Sequence, residues 1–228
     1  MRVAERSSRV AVAIMAKAPR PGHVKTRLCP PLDPPAAAAL YRCFLGDKIA
    51  AVAGLAGAQP AIAYAPADAR GEFAALAPGF TLVAQHGADL GARLRATLQG
   101  LLAAGHAAAI AVDSDTPTLP AAFLQEAVDR LAGPGPDVVL GPTEDGGYYL
   151  IGIRRDCPEL FTGVPWSTPA VLRETLRRAA AAGLRATCLP AWFDVDTADD
   201  LARLGASLDG GPGAEQAPRT RRFLKEGA

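Results

Sequence analysis

Arg9-Val-Ala-Val-Ala-Ile-Met-Ala16, running straight into Lys17-Ala-Pro-Arg-Pro-Gly-His-Val-Lys-Thr-Arg27, is the stretch on which the fold turns. The first eight residues are nearly all apolar and lack the alternation of a half-wetted strand, so they read as a buried strand. The next eleven are broken by proline and glycine and carry Lys17, Arg20, Lys25 and Arg27. A kinked cationic loop directly after a strand offers charge and backbone N–H groups together, which suits a polyphosphate. It is neither the G-x-x-x-x-G-K-[ST] loop nor the dinucleotide G-x-G-x-x-G. Without a ligand it reads equally as a solvated surface loop.

The same strand-then-loop rhythm continues along the chain. Residues 36–55 place Leu40, Phe44, Ile49 and Val52 near helical spacing, with Pro34 and Pro35 where a helix start tolerates proline. Strands are expected at 60–65, 81–85, 107–112, 137–141, 148–153 and 184–189. Helices are expected at 68–76, from the Asp89 cap to about 104, and from Pro120 to about 131. Two more are expected from Pro169 to about 182 and after Thr197. Strands alternating with helices imply an α/β fold, a mostly parallel sheet with helices on both faces. Residues 1–208 read as a single domain and 209–228, rich in Gly, Pro and Arg, as a flexible C-terminal tail.

Composition narrows the function classes. The 228 residues are 50% hydrophobic and 21% charged, with a formal net charge of +1, so the chain is globular and has no global attraction to nucleic acid or anionic lipid. No apolar run is long enough to span a membrane. The four cysteines, at 29, 43, 157 and 188, have no zinc-ligand spacing. With no export signal apparent, they read as reduced thiols of a cytoplasmic protein.

Three further stretches carry chemistry. Asp113-Ser-Asp115 follows the apolar run 107–112, and two carboxylates at a strand end can face one hard divalent cation while leaving places for phosphate oxygens. A helix cap before Pro120 is the plainer alternative. Glu144-Asp-Gly-Gly-Tyr-Tyr149 allows a backbone turn that approaches a ligand closely, or forms a simple hairpin turn. In Phe193-Asp-Val-Asp196-Thr197 the alternating acids point the same way if the segment is extended. No nucleophile elbow accompanies the scattered histidines.

Taken in order, these stretches resemble the bacterial GT-A-like glycosyltransferases of the nucleotide-diphospho-sugar transferase superfamily, some of them assigned to arsenosugar biosynthesis. The carrying motifs are Ala16-Lys-Ala-Pro-Arg-Pro-Gly-His-Val-Lys-Thr-Arg-Leu28 and Gln85-His-Gly-Ala-Asp-Leu-Gly-Ala-Arg93. They continue with Ser114-Asp-Thr-Pro-Thr-Leu-Pro120 and Leu140-Gly-Pro-Thr-Glu-Asp-Gly-Gly-Tyr-Tyr-Leu-Ile-Gly152. Pro165-Trp-Ser-Thr168 and Asp194-Val-Asp-Thr197 complete the set, which spans roughly residues 9–205.

The resemblance implies a GT-A fold, a Rossmann-like α/β/α sandwich that binds a nucleotide diphosphate and a divalent metal, Mg²⁺ or Mn²⁺. It implies nucleotide and phosphate contacts from Lys17, Arg20, Gly22, Lys25 and Arg27, with Gly87 and Arg93. Asp115 would be the metal aspartate, joined by Asp113 and by Asp196. Asp113 stands where relatives often have Gly or Asn. Gly146, Gly147, Tyr148 and Trp166 would line the donor or acceptor pocket. Asp145, with Glu144 in reserve, is the expected catalytic base of an inverting enzyme.

The expected activity is metal-dependent glycosyl transfer from a nucleotide sugar to a small-molecule acceptor. Nucleotidyl transfer from a nucleoside triphosphate, releasing pyrophosphate, is the alternative. Phospholactate and molybdenum-cofactor nucleotidyltransferases share the fold, and the former carry a similar Lys-x-Arg-Leu. The sugar-nucleotidyltransferase signature L-x-G-G-x-G-T-R is absent. A nucleotide-binding protein that has lost catalysis is the third possibility.

Overall fold

The structure, a computed structural model, describes residues 7–210, 213 and 215–226. Its strands are β1 (Ser7–Lys17), β2 (Ala58–Ala65), β3 (Thr81–Ala84), β4 (His106–Val112), β5 (Val138–Pro142), β6 (Tyr148–Ile153) and β7 (Ala186–Cys188). They form one sheet in the order β3-β2-β1-β4-β6-β5-β7. All neighbours are parallel except β6, which runs antiparallel to both β4 and β5. The short connection 143–147 forces this reversal, because a parallel return needs a crossover of a dozen residues or more. Glu144–Tyr149 is therefore a hairpin connection in topology, and it still lies at the sheet end where the parallel strands finish.

Helices α1 (Pro34–Ala53), α2 (Arg70–Leu76), α3 (Leu90–Ala103), α4 (Ala121–Ala132), α5 (Val171–Ala181), α6 (Ala198–Leu208) and α7 (Pro218–Glu226) cover the sheet. The expected starts are met by side-chain caps. Asp33 accepts from the Ala36 N–H, Asp89 from the Ala92 N–H, and Thr197 forms a reciprocal capping box with Asp200. Along β1, Val10, Val12, Ile14 and Ala16 enter one core with Leu40, Phe44 and Leu124. Ala11 and Ala13 face the other, with Leu94, Leu98 and Ile151. Burial on both faces explains why this strand shows no polar alternation.

The expectation of a flexible tail from 209 fails over α7. Asp47 of α1 is 3% exposed, and its carboxylate accepts from the backbone N–H of Arg219 (3.0 Å) and Thr220 (2.9 Å) and from the Thr220 hydroxyl (2.7 Å). This cap supplies partners for the first N–H groups of α7 and docks it on α1. Of the remaining residues of that stretch, 211, 212, 214, 227 and 228 lie outside the described residues. Among the described residues no helix is long and apolar enough to cross a membrane.

Candidate active site

The carboxyl ends of β1, β4 and β5 open into a cavity of about 750 Å³. One hydrogen-bond chain holds its floor. The Lys17 N–H donates to the Tyr41 hydroxyl (3.2 Å), Tyr41 pairs with Ser114 Oγ (2.8 Å), and Ser114 Oγ donates to the Met15 carbonyl (3.0 Å). Tyr41 is 3% exposed, so α1 fixes the end of β4 against the end of β1 through a buried hydroxyl. Sequence reasoning missed Tyr41. Its helical spacing marks it only as core, and its hydroxyl partners are remote in the chain.

Asp113 and Asp115 both reach the cavity, but on different partners. Asp113 accepts from Thr116 Oγ1 (2.6 Å) and stands 3.6 Å from Lys48 Nζ. Lys48, 2% exposed on α1, also donates to the Thr116 carbonyl (2.9 Å) and hydroxyl (2.7 Å). Burial pushes the Asp113 carboxyl up to about 6, against the pull of Lys48 and with added repulsion from Asp115. Asp113 is thus held by a lysine that sequence reasoning did not single out, rather than joining Asp115 as a free pair.

Lys25 departs furthest from expectation. Its backbone is left-handed (φ 48), and its ammonium is 5% exposed. Nζ lies 2.5 Å from Asp115 Oδ1 and 2.9 Å from Asp196 Oδ1, and donates to the Val195 carbonyl at 2.8 Å. An ammonium has three donors, and all three are taken. Burial alone would lower its pKa, but Asp115 and Asp196 outweigh burial and hold it above its ordinary value. In this arrangement Lys25 ties the β1 loop to both acids and has no proton left for a phosphate.

Among the other expected cations, Lys17, Arg27 and Arg93 line the cavity. Arg27 is 70% exposed and 3.6 Å from Asp196, and Arg93 uses Nε on the Gly87 carbonyl (3.2 Å). Arg20 does not line it. Its guanidinium is held by Glu72 and Asp68 on the neighbouring helical segment, so it braces the loop instead of meeting a phosphate. Gly22 (φ +75) and Gly87 (φ +136) shape turns outside the cavity wall.

Asp145 faces the cavity, with Oδ1 accepting from Thr143 Oγ1 (2.5 Å) and the Gly147 N–H (3.0 Å). Its other oxygen has no partner among the described residues. Glu144, the expected reserve base, is turned away. Arg203 grips both its oxygens (2.6 and 2.8 Å) and stacks on Phe193, 4.0 Å from the ring centroid. The Arg203 hydrogen bonds hold Glu144 below its ordinary carboxylate range. Gly146 (φ +93) passes so close to the Pro169 carbonyl that a Cβ would overlap it, which fixes the turn.

The alternating acids of 194–196 both reach the cavity, as an extended segment requires. Asp194 has no ion-pair partner among the described residues, and its carboxyl is pushed up to about 6 by burial, then by Asp145 and Asp196. On the far wall, Trp166 packs edge-on to Tyr148 (centroids 6.3 Å, 85°) and against Gly91, where a Cβ would overlap the indole. In the sequence Gln85 stands out only as part of the 85–93 motif. Its Nε2 donates to the Ala63 (2.7 Å) and Ala16 (3.2 Å) carbonyls, which uses both amide hydrogens. Oε1 is then the acceptor left over for the cavity.

Among the described residues no group of three or more His, Cys, Asp or Glu is placed to enclose a metal unaided. Asp115, 40% exposed, and the unpaired Asp194 nevertheless face the same space. Two carboxylates with the remaining positions open suit a hard cation that arrives on phosphate oxygens.

A mostly parallel α/β sheet with its cavity at the strand ends is the Rossmann-like fold of nucleotide-diphospho-sugar transferases and cytidylyltransferases. Within that class, the chain belongs to DUF2064, a family described as an uncharacterized protein conserved in bacteria, which it matches over residues 48–168. A crystal structure from Desulfovibrio desulfuricans G20, provisionally named a nucleotide-diphospho-sugar transferase, is 36% identical. The likeness covers 95% of this chain and 94% of that one, with a TM-score of 0.87. CMP:2-keto-3-deoxy-manno-octonic acid synthetase, solved with CTP, is 16% identical over 88% of this chain and 98% of its own, with a TM-score of 0.57. A cytidylyltransferase from Leptospira borgpetersenii is 12% identical over 96% and 94%, with a TM-score of 0.56. At such identities the last two share the fold alone. No curated protein matches the chain.

Proposed function

We propose that this protein is a transferase acting on a nucleotide-activated donor, a nucleotide sugar, and releasing a nucleoside diphosphate. The observation that carries the reading is charge placement in one cavity. Lys17, Arg27 and Arg93 keep donors free, and Asp115 and Asp194 present carboxylates to the same cavity. Cations for phosphate oxygens together with acids for a divalent ion form the complement of a metal–diphosphate. The name of the Desulfovibrio protein points the same way.

In this reading Asp115 and Asp194 would hold Mg²⁺ or Mn²⁺, which would supply charge neutralisation at the diphosphate leaving group. Lys17, Arg27 and Arg93 bind and orient the phosphates as negative charge develops there. Lys25 and Lys48 keep the acidic loop in place. Gln85 Oε1 accepts an N–H from the base. For an inverting transfer, the acceptor oxygen attacks the anomeric carbon and the bond to the phosphate oxygen breaks. The acceptor proton passes to the free oxygen of Asp145.

Nucleotidyl transfer is the second reading, favoured by the Lys25-Thr-Arg27-Leu28 motif on a fold that serves both chemistries. Product identity separates the two. The protein is incubated with Mn²⁺ or Mg²⁺ and panels of nucleotide sugars and nucleoside triphosphates, and ³¹P spectra are recorded. Nucleoside diphosphate from a nucleotide sugar supports the first reading, and pyrophosphate from a triphosphate that depends on Asp115 replaces it with the second. An arsenosugar precursor belongs in the acceptor panel, because the motifs resemble that subfamily.

A further inference from the structure

A second cavity, about 410 Å³, lies away from the active site between α1, the end of α2 and α7. Arg42, Cys43 and Gly46 of α1 form one wall, Arg219, Arg222 and Phe223 of α7 the other, and Leu76 closes the end. The cap on Asp47 fixes the start of α7 through backbone N–H groups, which leaves the Arg219 side chain uncommitted. That side chain lies over Gly46, where a Cβ would overlap its guanidinium. A glycine inside a helix costs about 0.5–1 kcal/mol relative to alanine, and here it opens the space that Arg219 occupies.

Neither Arg42 nor Arg219 has a carboxylate or carbonyl partner for its guanidinium among the described residues. Both approach Cys43. Burial and then Asp47 push that thiol up, while Arg219 and Arg42 pull against them. Arg222 is shared with Glu226 at 2.9 Å. Glu226 takes Arg222, and the Asp47 carboxylate beside Cys43 is spent on the α7 cap, which leaves the Arg42 and Arg219 guanidiniums without an ion-pair partner in the groove. Leu76 and Phe223 add an apolar wall, the usual make-up of a small-molecule site with a few convergent polar groups.

We propose that this groove binds a small phosphate-bearing molecule with an apolar body, the phosphate between Arg42 and Arg219 and the body against Leu76 and Phe223. A phosphate monoester carries close to two negative charges at neutral pH, which suits two guanidiniums that have no ion-pair partner. Guanidiniums take its oxygens bidentately. The site is independent of the transferase reading, since none of its residues reaches the active-site cavity.

The test uses phenyl phosphate, inorganic phosphate and phenol as probes. Calorimetric titrations are run on the full chain carrying Lys17→Ala, Arg27→Ala and Arg93→Ala, so that the active-site cations do not contribute. Phenyl phosphate binds at one site per chain, more tightly than inorganic phosphate, and phenol does not bind. Adding Arg42→Ala or Arg219→Ala weakens phenyl phosphate by about tenfold or more. Arg42→Ala leaves the Asp47 cap untouched, and an unchanged melting temperature shows that α7 remains docked. Unchanged affinity in both arginine variants, or no saturable binding before they are introduced, overturns the site. Equal affinity for phenyl and inorganic phosphate overturns the apolar body.

Discussion

Replacing Lys25 by methionine separates two roles that the sequence alone had merged. The variant keeps an unbranched stem near Phe44, whose ring centroid lies 5.7 Å from Nζ, and removes all three hydrogen bonds of the ammonium. The carbonyl of Val195, a residue with no exposure, loses its partner, which costs about 1–3 kcal/mol. Asp115 and Asp196 are 40% and 39% exposed, so water replaces much of what they lose and each pair counts for about 1 kcal/mol or less. Methionine needs no desolvation of an ammonium, and this offsets part of the loss. The net destabilisation is about 1–3 kcal/mol, and at about 2–4 °C per kcal/mol for a chain of this size Tm falls by about 2–12 °C. With the ammonium gone, Asp115 and Asp196 keep only the exposed Arg27, 3.6 Å from Asp196, as a nearby counter-charge. Mg²⁺ or Mn²⁺ without nucleotide should therefore raise the Tm of the variant more than that of the wild type. Differential scanning calorimetry reads both effects. A variant as stable as wild type that loses nucleoside diphosphate affinity by about tenfold would refute the reasoning and return Lys25 to a phosphate ligand.

Asp194→Asn tests the uncompensated carboxylate. A carboxyl raised to about 6 binds a proton in the folded state that the unfolded chain, near 3.8, has released, so stability falls as pH rises through that window. The variant should gain about 1–3 kcal/mol at pH 7.5 and lose that gain towards pH 4, and thermal melts across pH would show a pH-independent difference if the assignment is wrong. Asp47→Ala should release α7 at a cost of about 2–4 kcal/mol, seen as new limited-proteolysis cuts near Pro218; unchanged protection there contradicts the cap. Arg203→Ala, which frees a surface pair with Glu144, should shift stability by no more than about 1 kcal/mol and leave nucleotide affinity intact, so a large affinity loss would bring Glu144 back into the site. Gly146→Ala should cost several kcal/mol, because the Cβ meets the Pro169 carbonyl in a left-handed turn, and a melt within a degree of wild type would show that the turn relaxes freely.

Much of this architecture is legible because local rules and tertiary demands agree. The apolar run 9–16, the caps at Asp33, Asp89 and Thr197, and the alternating acids at 194 and 196 each read the same way in isolation and in the fold. The direction of β6 is not legible in the apolar pattern, since a buried strand has the same pattern in either direction. It follows from the length of the 143–147 connection. α7 is not legible because it is short and mostly charged, with few apolar residues to mark it, and its cap, Asp47, lies far away in sequence. The site was legible as a set of strand-end positions but not as a set of partners. Arg20 and Lys25 have the same charge in the same loop, yet Glu72 and Asp68 claim one while Asp115 and Asp196 claim the other. Tyr41 and Lys48 sit at helical core spacing, and their polar ends acquire meaning only where α1 crosses the end of β4.

Calorimetric titration of a nucleoside diphosphate panel, with and without Mg²⁺, tests the central claim most directly. It compares the wild type with Arg93→Ala and Asp115→Asn. If the cavity is the donor site, a diphosphate binds the wild type at one site per chain, and more tightly with Mg²⁺. Arg93→Ala then weakens it by about tenfold with or without the ion, while Asp115→Asn removes the Mg²⁺ enhancement. Diphosphate binding that is the same in all three proteins, or absent with every base tried, would contradict the account.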